Sequence, residues 1–65
     1  MSTESRISAY TTGYTDGRDD CADGMSFPDN LIDHGRAALP HEAKYEDYEA
    51  YKAGYQDGWR VQEDL

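Results

Sequence analysis

The stretch AYTTGYTDG, residues 9–17, returns as AYKAGYQDG, residues 50–58, at an offset of 41. One alanine, two tyrosines, two glycines and one aspartate coincide, six identities in nine positions. Two copies are too few for a solenoid, which needs at least three. The repeat therefore predicts a pseudo-symmetric pair of elements that pack on each other.

The first copy also decides what kind of element this is. On a helical wheel at about 100° per residue, Ile7, Tyr10, Tyr14, Cys21 and Met25 fall within an arc of about 60°. Asp16, Asp19, Asp20 and Asp23 fall within about 100° on the opposite side, and Gly13, Gly17 and Gly24 line a narrow strip between. Three residue classes sorted onto three faces predict a helix over residues 7–25, not an acidic loop. Each interior glycine costs about 1 kcal/mol against alanine, so their alignment calls for a compensating close approach by another helix, a geometry best known from membrane helix pairs. Gly54 and Gly58 repeat the spacing, with Tyr48, Tyr51, Tyr55 and Trp59 along the adjacent edge. Two long helices packed glycine edge to aromatic edge are the expectation.

Between the copies, Ser26 followed by Asp29 resembles a capping box, Pro28 suits a first turn and Gly35 suits a stop. These predict a short helix over residues 27–34, closing one end of the pair, and a turn over 35–39. Pro40 then opens the second long helix, with Glu42 near its N-terminal dipole. The fold class is all-α, one small domain over residues 1–65. Its expected core is Ile7, Tyr10, Tyr14, Cys21, Met25, Phe27, Leu31, Ile32, Leu39, Tyr48, Tyr51, Tyr55, Trp59 and Val61. Tyrosine hydroxyls in such a core must reach the rim or find partners among Arg60, Lys52 and the outward carboxylates.

Composition narrows the function. Low hydropathy and high net charge favour disorder, opposed here by six tyrosines, one tryptophan and one phenylalanine at periodic spacing. Fourteen acidic residues against six basic give a net charge of −8. That charge disfavours bulk attraction to nucleic acid or anionic membrane and suits a basic protein surface. The single Cys21 leaves no internal disulfide, which points to a reducing compartment. MSTESRISAY has no apolar segment of signal-peptide type, and no run approaches membrane-spanning length.

No active site is legible. The chain has no G-x-x-x-x-G-K-[ST] loop, and so small a domain has little room for a concave site with paired carboxylates. An EF-hand laid from Asp19 would put Asn30 at the twelfth position, where a bidentate Glu is needed, and Cys21 at the third. Cys21, His34 and His41 lack paired zinc spacing. An enzyme, a metal and a cofactor are therefore not expected.

The acidic face carries the functional expectation. Asp16, Asp19, Asp20 and Asp23 stand at i, i+3, i+4 and i+7, and Glu46, Glu49 and Asp57 extend the acidity on the second helix. Carboxylates one turn apart are about 5–6 Å from each other, close to the phosphate spacing along a strand. Such a row would mimic nucleic acid toward a basic channel and associate fast and salt-sensitively. A monomer that binds a basic DNA-binding protein through these seven residues is the expectation; the bland alternative is a solvated face that keeps the chain soluble.

Two resemblances bear on this. GYTDG, then Pro28, then YQDGWR resembles the ribosome modulation factor family, with its early G-Y-x-x-G and late W-x-x-G-W-R. Gly13, Tyr14 and Gly17 match the first part, and Gly58, Trp59 and Arg60 the second, with Tyr55 in place of a tryptophan. That resemblance implies a two-helix scaffold and, as the alternative function, ribosome association; the family is basic, whereas this chain is acidic. In overall character, very short, acidic and without a catalytic motif, the chain resembles the anti-CRISPR proteins of phages and mobile elements. This implies a cytoplasmic DNA mimic in a bacterial host that blocks target recognition by a type I surveillance complex.

Overall fold

The structure is a computed structural model that describes residues 3–65. Those residues form three helices and no strand: α1 Thr3–Ala22, α2 Leu31–Ala38 and α3 Tyr45–Glu63. The two long helices pack along each other and α2 lies against α3.

The glycines explain the pairing. A Cβ on Gly13 would stand 2.1 Å from the Tyr51 carbonyl oxygen, and one on Gly17 2.1 Å from that of Tyr55. Reciprocally, Gly54 faces the Tyr10 carbonyl and Gly58 that of Tyr14, again at 2.1 Å. No real Cβ fits there. What fits is a glycine hydrogen aimed at a carbonyl oxygen, a weak Cα–H···O contact worth about 0.5–1 kcal/mol. Four such contacts, with the backbone packing they permit, offset the roughly 4 kcal/mol that four interior glycines cost in helix propensity.

The same contacts give the direction. Positions 13 and 17 meet 51 and 55 in rising order, so α1 and α3 run parallel. The 41-residue offset maps each contact onto its mate, which makes the pair pseudo-two-fold along its length. Parallel helices cannot be joined by a hairpin, and residues 23–44 must carry the chain back along about 30 Å of helix.

That return path is set by local chemistry. Gly24, at φ +80°, ends α1: Met25 N–H donates to the Asp20 carbonyl and Gly24 N–H to that of Cys21. This Schellman closure needs a left-handed residue, and only glycine takes it freely. The helix predicted over residues 7–25 therefore stops at Ala22. The short helix predicted over 27–34 begins at Leu31 instead, because Asn30, not Ser26, caps it by accepting from Asp33 N–H at 3.1 Å. The turn predicted over 35–39 is mostly helix. Gly35 is a buried contact point and not a stop: its missing side chain lets the Tyr48 and Tyr51 rings approach. Pro40 does not open α3, which starts at Tyr45 after the Lys44 cap. Nor does α2 close an end; it covers one side of α3.

The core is smaller than the sequence implies. Tyr51 and Tyr55 are fully buried, with Ala9 and Leu31 beside them and Leu39, Ala50 and Trp59 packed against the cluster. Phe27 meets Trp59 edge-on at 5.2 Å and Tyr55 at 5.8 Å, pinning the return segment to α3. Ile7, Tyr10, Met25, Phe27 and Val61, all expected inside, are exposed. Of these, Ile7, Tyr10 and Val61 lie on the side of the pair away from α2, and Met25 and Phe27 lie in the uncovered return segment.

Candidate functional site

The two helices meet through glycine, so tyrosine and aspartate flank the seam on either side. Tyr51 Oη donates to Asp16 Oδ2 at 2.8 Å, and Tyr55 Oη donates to Asp20 Oδ2. Across the pseudo-two-fold, Tyr10 Oη donates to Asp57 Oδ2, the mate of the Tyr51–Asp16 bond. The second bond has no mate, because the position equivalent to Asp20 is Val61.

Burial raises the Tyr51 and Tyr55 phenol pKa values first, and the carboxylates they donate to raise them further. For Tyr10 the hydrogen bond to Asp57 comes first. Each phenol stays protonated and anchors a carboxylate from behind. His34 on α2 adds to the cluster. Its Nε2 lies 3.4 Å from Asp20 Oδ2, and its ring meets Tyr55 edge-on at 5.1 Å.

The seven candidate carboxylates thus divide. Asp16, Asp20 and Asp57 are half-buried and hydrogen-bonded to tyrosine across the seam, and Asp57 also faces Arg60 Nη1 at 3.6 Å. Asp19, Asp23, Glu46 and Glu49 are exposed. The wheel set Asp16 and Asp20 opposite the tyrosine stripe; in the structure they lean on the tyrosines of the other helix. The hydroxyl acceptors are carboxylates, not Arg60 or Lys52.

Sequence reasoning missed Asp47. Its Oδ1 accepts from Ser5 Oγ at 2.7 Å and its Oδ2 from Lys44 N–H at 3.0 Å. It is buried and joins the first turns of the two long helices. The Lys44 amide, then the Ser5 hydroxyl, with Arg6 adding a smaller attraction, hold its carboxyl below the usual range against the opposing effect of burial. The available signal was an acid three residues after the N-cap Lys44, the reciprocal half of a capping box.

Beside Asp47, the segment 38–43 arches over α1 and leaves a groove of about 440 Å³ with Ser8, Thr12, Leu39 and Glu42 on its walls. Among the described residues, no three His, Cys, Asp or Glu side chains are placed to hold a metal ion, and no helix is long and apolar enough to cross a membrane. Comparison with protein-family models, with curated proteins and with solved structures gave no match.

Proposed function

We propose that the protein is a non-catalytic inhibitor that occupies the nucleic-acid channel of a basic DNA-binding assembly. The observation that supports this is the pinning of Asp16 and Asp20. They stand one turn apart on α1, and a buried tyrosine holds each through Oδ2. Neither Oδ1 has a hydrogen-bond partner among the described residues. With exposed Asp19 and Asp23 alongside, α1 presents carboxylates in fixed positions. Their ordering has been met in folding, so it is not charged again on binding. The resemblance in character to anti-CRISPR proteins makes the surveillance complex of a type I system the first target to try.

The test compares two double reversals of equal charge. Asp19→Lys with Asp23→Lys changes exposed carboxylates that make no side-chain hydrogen bond among the described residues, whereas Asp20→Lys would break the Tyr55 and His34 contacts and confuse binding with folding. Asp29→Lys with Asp64→Lys is the control. Tagged protein is used to pull down from bacterial lysate, and affinity for the purified target is then measured against salt and competitor duplex. Loss of at least a hundredfold for the α1 pair, against a few-fold for the control, is expected. Equal losses would leave only bulk charge, and capture of ribosomes would transfer the case to ribosome association.

A further inference from the structure

The pseudo-two-fold gives the pair two related sides, and among the described residues only one is covered by a helix. On the covered side, α2 lies over Tyr48, Tyr51 and Tyr55. Leu31 is buried there, Gly35 takes the Tyr48 and Tyr51 rings at 3.2 Å from where its Cβ would be, and His34 sits on Tyr55. Subtracting 41 carries that tyrosine set onto Ile7, Tyr10 and Tyr14, and adding 41 to Asp16 and Asp20 gives Asp57 and Val61. Among the described residues, none lies over this second seat. Its residues account for three of the exposed large apolar side chains: Ile7 at 59 %, Tyr10 at 36 % and Val61 at 43 %, against 0 % for Tyr51 and Tyr55.

The Tyr10–Asp57 bond is the mate of Tyr51–Asp16, so the second seat repeats part of the first, with Ile7 in place of Tyr48 and Val61 in place of Asp20. We propose that it receives a short amphipathic helix from a partner protein, seated as α2 is, with a leucine-type residue and, four positions on, a glycine or alanine against the rings. The rim gives the charge of that helix. Ser5 and Ser8, beside the covered seat, have Glu46 and Glu49 as their mates, and with Asp57 these edge the vacant one in acid. The occupant therefore carries lysine or arginine at its flanks. A second copy of the chain is a poor occupant, since each brings a net charge of −8. This docking is independent of the carboxylates on α1 at Asp19 and Asp23.

A stapled helical peptide of residues 30–39, with Asp33→Lys and Leu39→Lys to make it basic, is titrated into the full chain and followed by NMR. The expected result is saturable shifts at Ile7, Tyr10, Tyr14 and Val61 with Tyr48 and Leu31 unmoved. Replacing the peptide glycine by leucine, or Ile7→Lys in the chain, is expected to weaken binding at least tenfold. Ile7 is exposed, so that variant keeps the fold. Shifts confined to the α2 seat, absence of saturation, or the same shifts on concentrating the protein alone would each overturn the proposal, the last by assigning the face to self-association.

Discussion

Gly17→Ala is the sharpest perturbation this fold offers. The added methyl would lie 2.1 Å from the Tyr55 carbonyl oxygen, a backbone atom that no rotamer change can move. Reaching the 3.0 Å at which real contacts begin requires the helices to part by roughly 1 Å. Because both helices are stiff, the gap opens at Gly13, Gly54 and Gly58 as well, and a radial gap of about 0.5–1 Å forfeits a quarter to a half of each dispersion contact. Overpacking of this kind costs about 3 kcal/mol or more, and alanine returns about 1 kcal/mol in helix propensity. The net loss is about 2 kcal/mol or more, against a total of about 3–10 kcal/mol for a domain of this length. Thermal melts by circular dichroism should show Tm falling by at least about 8 °C. Gly35→Ala is the internal control. Its methyl meets ring atoms at 3.2 Å that can shift by a few tenths of an ångström, so the packing cost and the propensity gain leave stability within about 1 kcal/mol. Gly13→Ala with Gly54→Ala should cost less than the sum of the single changes, since one separation relieves both. A Gly17→Ala protein that melts at or above the wild-type temperature would refute the close-seam reasoning.

Two further outcomes concern titration. The Tyr51 and Tyr55 phenols have folded pKa values above their unfolded ones, so the stability they contribute is fully present below about pH 10 and declines above it. Absorbance at 295 nm should therefore show two phenols that ionise only together with loss of helicity, and Tyr51→Phe should leave one. Asp47 behaves oppositely: its lowered carboxyl pKa contributes stability above about pH 4 that is lost as pH falls through the folded value. Asp47→Asn should flatten the acid limb of a stability–pH profile, and an unchanged acid limb would dismiss the Ser5–Asp47–Lys44 link as a contributor.

The repeat made the helix pair and its glycine seam legible, since a repeated spacing of glycine beside tyrosine suits the close approach of a second helix. What the wheel could not supply was the number of neighbours. It assigned one buried face and one wet face to α1, and so placed Ile7 and Tyr10 inside and Asp16 and Asp20 outside. A helix that meets its partner edge-on through glycine has instead two flanking faces. Which of them is dry depends on where residues 23–44 run. That path hung on a choice between Ser26 and Asn30 as cap and between stop and close approach for Gly35. The cap is the local bond from Asp33 N–H to Asn30, whereas the role of Gly35 is settled by tertiary contact with the Tyr48 and Tyr51 rings. The acids of the candidate surface were visible as a pattern. Their division into pinned and free members was not, because it rests on tyrosines more than thirty residues away in sequence.

Parallel pairing has a consequence for how the chain acquires its structure. The contacts that justify the glycines lie close to forty residues apart along the chain, and neither long helix is stable alone with glycines in its interior. The entropy of closing that loop is met before any seam contact forms, which makes the transition slow for a helical protein and nearly all-or-none. During synthesis α1 has no partner until Gly58 has been added. Up to that point the contacts that offset the glycines of α1 are missing, so its structure is acquired together with that of α3 and not before it.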